Sequence, residues 1–288
     1  RIVSNKEIKK GKILELDDLN FKRTNINEIE TSNLENFIGK RLNKNISKEH
    51  PLSRNDLEID SWGLIIARTN SQRLNNKALL NICGKPTIVH LFDRVKKSTK
   101  LNKLILCTTT NKEDDVLVDL AKQNNIQFYR GSSKDVLGRM LGATDGHNPD
   151  LLIRITGDDI LIDPEYIDFG IAEHLKKNVE YSDLKELPSG TEVEIFDTNL
   201  LKEIYACTNN KKDTEYLTYY ITKNKEHIAI NSIKVNPRHR KNWRLTLDNK
   251  NDLKVISLFL SSMESEGKLD SYNMDNIIDF FEKKPEIL

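Results

Sequence analysis

Residues 65–79 read IIARTNSQRLNNKAL, an apolar run that gives way to a polar stretch carrying Arg68, Arg73 and Lys77 without a glycine. The run starts at Gly63 and is short and rich in Ile and Leu, so it reads as a buried strand followed by its turn. The three cations behind it are either solvated loop charges or a grip on an anion. Asn and Ser around them accept turn and left-handed backbone, which lets amides and cations converge on one anion. Neither GxxxxGK[ST] nor GxGxxG is present, so the grip is not one of the usual phosphate motifs.

Outward from this stretch, strand-like runs KLILCTT (103–109), IQFY (126–129) and LLIRIT (151–156) follow. Between them lie helical stretches at about Pro86–Lys97, across EDDVLVDLAKQN (113–124) and across DVLGRMLGATD (135–145). Strands separated by single helices pair in parallel through right-handed crossovers, a doubly wound α/β layout. Ligands in such sheets sit at the carboxyl ends of the strands. The segments of interest are therefore RTNSQR, TTT with Thr108, RGSSKD and GDD. Further on, TEVEIF, a helical DTEYLTYYITKN, strands IAINSIKV and WRLTL, and helices within DNKNDLKVISLFL and NMDNIIDFF are expected to join this sheet or form a lid over it.

Residues 1–59 have a different texture. Their segments are short and polar, Gly11 and Gly39 fall at expected turns, and a small β-rich unit is the expected shape, with a boundary at EIDSW (58–62).

The 288 residues include 45 Lys and Arg against 44 Asp and Glu. A formal net charge of +1 gives no overall field for nucleic acid or a membrane surface, so any anion binding is local. No apolar run approaches the ~18–20 residues of a membrane span. Cys83, Cys107 and Cys207 have no CxxC spacing, which points away from zinc or a disulfide framework and toward a reducing cytoplasm. The first residue is Arg1, so the chain is expected to be a piece of a longer polypeptide.

Two carboxylates stand out at strand ends. Asp158, followed by Asp159, leaves the fourth strand through Gly157, and Asp248 follows WRLTL. Carboxylates so placed suit Mg²⁺, which takes one or two of them plus phosphate oxygens and water; the alternatives are an acidic turn and, for Asp248, a helix N-cap. A cationic loop and two isolated carboxylates after strands of one sheet are the equipment for a nucleoside triphosphate with a divalent metal.

The ordered segments IIARTNSQRLNNKAL, RGSSKDVLGRM, RITGDDILIDP, SGTEVEIF and RLTLDNKNDL resemble the cytidylyltransferase family of the spore-coat polysaccharide proteins and, more distantly, the CMP-sialic acid and CMP-Kdo synthetases. The resemblance spans about residues 62–288. It implies a Rossmann-like nucleotidyltransferase sheet with flanking helices, CTP and Mg²⁺ as reactants, and a homodimer. By position it implies a triphosphate loop of Arg68, Ser71, Arg73 and Lys77, and nucleotide contacts from Thr108, Arg130, Asp135 and Arg139. It also implies metal ligands Asp158 and Asp248, and acceptor-sugar contacts from Glu192, Glu194 and Glu215. Tyr216 stands where a histidine is common, and Asn70, Asn75 and Asn76 stand where glycine or proline is usual. These asparagines are expected to supply the backbone freedom that glycine supplies elsewhere.

Residues 1–59 resemble the antifreeze-like (SAF) domain at the C-terminus of sialic acid synthases, on NKEIKKGKILELDDLNFKR and LENFIGKRLNKNISKEHPLSRNDL. This implies that Arg23 reaches a sugar substrate. The two resemblances together imply domains 1–59 and 60–288 and transfer of CMP from CTP to a nonulosonic acid, in a chain that also carries the upstream synthase. A non-catalytic nucleotide- or sugar-binding partner of a synthase, and a transferase for another polysaccharide precursor, are the alternatives.

Overall fold

The computed structural model describes residues 1–22, 34–71, 73–208 and 217–288. The first unit opens with β1 (Ile2–Ser4), which pairs antiparallel with β2 (Leu19–Phe21). Single bridges Val3–Pro51, Ile8–Ile46, Ile13–Arg41 and Leu42–Leu57 tie in the rest. They close over a core that includes Ile2, Ile8, Leu14, Phe37, Leu42 and Leu57. Gly11 and Gly39 both turn the chain with positive φ, as expected.

The second unit runs β3 (Ser61–Ile66), the hairpin β4 (Asn81–Ile82) and β5 (Lys85–Pro86), α1 (Thr87–Val95), β6 (Lys103–Thr109), α2 (Asp115–Gln123), β7 (Gln127–Gly131), α3 (Val136–Gly142) and β8 (Leu151–Thr156). It continues through α4 (Pro164–Lys177), β9 (Tyr181–Asp183), β10 (Glu194–Asp197), α5 (Thr198–Cys207), α6 (Leu217–Lys223), β11 (Ile230–Ser232), α7 (Lys250–Ser265) and α8 (Met274–Lys283). Among the described residues one seven-stranded sheet forms, in the order β11-β9-β10-β8-β3-β6-β7. β3 pairs parallel with both β6 and β8, and β6 pairs parallel with β7. β10 runs antiparallel to both of its neighbours. The chain thus steps outward from β3 to β7 and then returns to lay β8 on the other flank of β3. The order reverses between β3 and β8, which is where such sheets bind ligands.

Helices cover both faces because the central strands are apolar on both. Successive side chains point to opposite faces: Trp62, Leu64, Ile105, Cys107 and Leu152 pack with α3, α5 and α6, whereas Ile65, Leu106, Ile153 and Ile155 pack with α1, α4, α7 and α8. α1 buries Ile88, Leu91, Phe92 and Val95, and α8 buries Met274, Ile277, Ile278 and Phe281. Both follow the i, i+3, i+4, i+7 stripe of a helix on a core.

One expected strand is not in the sheet. WRLTL lies alongside residues 188–190, with Ser189 N donating to Trp243 O at 2.9 Å and Leu245 N donating to Ser189 O at 2.6 Å. Gly190 permits this: at φ +95°, a Cβ there would sit 2.3 Å from Thr246 N. Asp248 is therefore delivered by a bridged segment instead of a sheet strand. The described residues after Leu151–Thr156 extend the sheet through β9, β10 and β11 and form no separate lid.

The first unit docks on the end of the sheet away from the parallel strands' carboxyl ends. Arg54 forms a two-pronged pair with Asp197 at the end of β10. Lys40 pairs with Asp150, just ahead of β8. Asn55 Nδ2 donates to Ala172 O of α4 at 3.2 Å. Asp197 also accepts from His174, whose other ring nitrogen meets Ser182 Oγ at 2.9 Å.

Candidate active site

At the β3/β8 switch point the two strand ends close on each other. Gly157 N donates to Ile66 O at 2.9 Å, and a Cβ on Gly157 would lie 2.7 Å from Ala67 Cβ, so only glycine fits. Beyond them opens a cleft of about 590 Å³ lined by Arg68, Asn70, Ser71, Arg73 and Lys77 of the loop, with Arg139, Arg154, Asp158 and Asp248 around it.

The loop is held from beneath by a residue the motifs did not single out. Buried Asp114 accepts from Thr69 N and Thr69 Oγ1, both at 2.7 Å, and from Thr109 Oγ1 at the end of β6. Asn76 N then donates to Thr69 O at 3.1 Å and closes the loop on itself. Of the three asparagines expected to supply unusual backbone, Asn76 alone does, at φ +53°; Asn70 and Asn75 keep φ negative. One left-handed residue, at the start of the short turn Lys77–Leu79, is enough to redirect the chain. Thr87 Oγ1 donates to Lys77 O at 2.5 Å and fixes that turn to the first residue of α1.

Lys77 is the electrostatic centre. Its Nζ donates to Asp158 Oδ2 and, at 2.8 Å, to Asp248 Oδ1. The three side chains are 16%, 14% and 13% exposed, so this is a largely desolvated triad. Burial disfavours the ammonium, but Asp158 and Asp248 outweigh it and hold the Lys77 pKa above its ordinary value. Burial likewise works against the Asp248 carboxylate, and Lys77, Arg73 and Arg244 outweigh it, so its pKa is lowered. Arg73 reaches Asp248 Oδ2 at 3.0 Å and Arg244 reaches it at 2.8 Å. Asp252 fixes this arrangement by accepting from Arg244 Nη1 and from Asp248 N, both at 2.7 Å. The cap of α7 is Asn249, so Asp248 is left to face the cleft. Next to Asp158, the Asp159 carboxyl is pushed well above its ordinary range by burial first and then by Asp158 and Glu192.

The remaining sequence-derived residues divide. Arg139 lines the cleft and donates to Ser132 O. Asp135 caps α3 through Gly138 N at 2.8 Å and accepts from Tyr205 OH at 2.8 Å, so it acts on the wall that carries Arg139. Arg130 is spent on Thr109 O, Asn111 O and Asp115, outside the cleft lining. Thr108 is a correction: it is fully buried, and its hydroxyl has no hydrogen-bond partner among the described residues. It follows Leu106 in the alternation of β6, and the cleft lies on the face of Cys107. Glu192 turns back onto Gly190 N and Thr191 N at 2.6 and 3.1 Å, and burial raises its pKa. Glu194 pairs across β8/β10 with Arg154 and accepts from Tyr181 OH at 2.7 Å. Arg23, Glu215 and Tyr216 lie outside the described residues. Arg154 was legible in principle: within LLIRIT it shares a face with Thr156 and points to the ligand end.

Among the described residues no group of three or more His, Cys, Asp or Glu gathers into a cage. Two carboxylates that converge on one ammonium, in a cleft large enough for phosphate oxygens, do fit a hard divalent cation of the Mg²⁺ type, which needs few protein ligands. No helix among the described residues is long and apolar enough to cross a membrane.

Comparison with known proteins bears on the family and the fold. Residues 62–276 match the Cytidylyltransferase family and residues 2–58 match the SAF domain. The chain is 35% identical over 229 residues to an uncharacterised protein of Methanocaldococcus jannaschii, covering 78% of this chain and 91% of that one. It is 26% identical to the spore coat polysaccharide biosynthesis protein SpsF of Bacillus subtilis, over 77% of this chain and 94% of that one. With the 3-deoxy-manno-octulosonate cytidylyltransferase of Brucella ovis it shares 35% identity, over 36% of this chain and 42% of that one. The solved structure of a cytidylyltransferase from Leptospira borgpetersenii superposes with a TM-score of 0.73 at 26% identity, over 80% of this chain and 97% of that one. A loop of cations and a shared aspartate pair at the switch point, on this sheet and with these relatives, lead to one conclusion: the chain belongs to the cytidylyltransferase family and carries an SAF domain at its N-terminus.

Proposed function

We propose that this protein transfers CMP from CTP to a sugar acid of the nonulosonic or sialic type, with release of pyrophosphate and with Mg²⁺ as the metal. The observation that carries the reading is Lys77 set between Asp158 and Asp248 in a cleft ringed by Arg68, Arg73, Arg139 and Arg154. In the reaction a hydroxyl oxygen of the sugar forms a bond to the α-phosphorus while the bond from that phosphorus to the α–β bridging oxygen breaks; pyrophosphate leaves with the electron pair, and the hydroxyl proton is released to solvent. Such transfer needs positioning and charge stabilisation more than covalent help. Arg68, Arg73 and Lys77 take up the charge that grows on the leaving pyrophosphate, and Ser71 adds a hydroxyl donor. Asp158 and Asp248 are the residues that would hold Mg²⁺, which supplies charge neutralisation at the phosphates when bound. Arg139 forms the nucleotide wall, with Asp135 setting its helix. Glu194, oriented by Arg154 and Tyr181, faces the acceptor side, with Glu192 beside it.

Residues 1–59 and 60–288 are assigned as SAF and transferase domains. Their pairing supports a place next to nonulosonic acid synthesis, in a polypeptide that includes the synthase. A full open reading frame without a (β/α) barrel pattern upstream would remove that part alone.

A second reading, in which the acceptor is another polysaccharide precursor, draws on the extent of the alignments: SpsF is matched over 94% of its length, and the octulosonate enzyme over 42%. A screen of four nucleoside triphosphates against sugar acids and neutral polysaccharide precursors, read by pyrophosphate release, separates the readings. Turnover with CTP and a sugar acid is expected. Turnover with neutral sugars only would move the acceptor class, and Mg²⁺-independent CTP binding with no turnover at all would leave a non-catalytic binding module.

A further inference from the structure

Building on the nucleotidyltransferase reading of the cleft, we propose that Lys77 is an internal counter-cation that keeps a divalent ion off Asp158 and Asp248 until a nucleotide's phosphates draw its ammonium away, so that metal enters with nucleotide and not before it.

The geometry points to this in three ways. First, the ammonium occupies the position a metal shared by the two aspartates would need, since it bonds one oxygen of each. Second, the other oxygen of Asp248 already faces Arg73 and Arg244 at 3.0 and 2.8 Å. A divalent ion arriving alone would meet three cations around one of its two carboxylates, and the nearest of them, Lys77, is largely desolvated, so its repulsion is weakly screened. A triphosphate reverses the balance by bringing several negative charges into the same space. Third, Lys77 is built to exchange partners. Its carbonyl is pinned by Thr87, so the backbone stays while a flexible four-carbon stem carries a compact charge from carboxylates to phosphate. Arg244 is the contrast. Its planar group is forked between Asp248 and Asp252, so it remains with Asp248 in either state.

The test uses the full chain and Mn²⁺ as a paramagnetic probe, with bound and free ion counted by electron paramagnetic resonance, with and without a non-hydrolysable CTP analogue. Wild-type protein is expected to bind Mn²⁺ only when the analogue is present. Lys77→Met, and Lys77→Gln as a variant that retains a hydrogen-bond donor, are expected to bind Mn²⁺ without nucleotide at least about tenfold more tightly than wild type. The proposal is overturned if wild type binds Mn²⁺ alone as tightly as the variants do. It is equally overturned if both variants, folded by circular dichroism, still fail to bind the ion alone. Its failure is distinct from failure of the functional reading: nucleotide-independent Mn²⁺ binding with intact pyrophosphate release removes the counter-cation role only.

Discussion

Arg54 and Asp197 meet through two parallel hydrogen bonds, Nη1 to Oδ2 at 2.9 Å and Nη2 to Oδ1 at 2.8 Å, one residue from the SAF unit and one from the sheet. Arg54 is 5% exposed, and truncating it leaves a largely buried carboxylate with His174 as its remaining side-chain partner among the described residues. Removing one partner of a buried pair typically costs about 3–5 kcal/mol. Arg54→Ala is expected to lower the unfolding free energy by that order in urea titration. A loss below about 1 kcal/mol would show the pair to be effectively solvated.

Asp158→Ala and Lys77→Ala each remove one member of the cleft's central triad. Each is expected to reduce pyrophosphate release by roughly 10²–10³-fold, the usual cost of a lost electrostatic contact in a transition state. Far-ultraviolet circular dichroism is expected to stay as in wild type. Near-normal turnover in either variant would remove that residue from the site.

Thr108→Val replaces a buried hydroxyl that has no partner with a methyl of nearly the same shape. An unsatisfied buried polar group costs free energy, so stability is expected to hold or rise by up to about 1 kcal/mol. The KM for CTP is expected not to change. A large rise in KM would return Thr108 to the nucleotide site.

His174 is fully buried, and burial lowers its pKa more than Asp197 raises it. A histidine with a depressed folded pKa contributes stability that is present above its unfolded value, about 6.5, and is lost as pH falls below it. Asp159 and Glu192, with raised values, act with the opposite sign, so the wild-type profile alone does not isolate the imidazole. The difference in unfolding free energy between wild type and His174→Gln is therefore the quantity to follow. It is expected to shrink as pH falls from 7 to 5. A constant difference would mean that His174 does not titrate in that window.

The strands and helices from Gly63 to Thr156 were legible because each is apolar on a clear period, with one helix between successive strands. Strand ends then indicated the ligand side, and Arg68, Ser71, Arg73, Lys77, Arg139, Asp158 and Asp248 do converge there. What escaped was tertiary. Asp114 reads as one acid in a run of three, and its role exists only because Thr69, in the loop after β3, lies beside Thr109 at the end of the neighbouring strand β6. Arg130 looks like Arg139 in sequence, but backbone carbonyls claim it locally. WRLTL has a strand's pattern, yet the position opposite it is a loop that Gly190 leaves open. Thr108 was assigned to the ligand because it ends a strand, while the choice of face depended on counting alternation from Leu106.

β8 joins the two ends of this molecule as a six-residue rod from Leu151 to Thr156, about 20 Å long at the usual rise of a strand. Lys40 pairs with Asp150 at one end of the rod, and Asp158 lines the cleft at the other. Changes at sites so far apart, with no shared partner, add in free energy. An Arg54 variant and an Asp158 variant combined in one chain should therefore show the sum of their separate effects. The protein can accordingly be stabilised at its clamped end without disturbing the cleft at its open one.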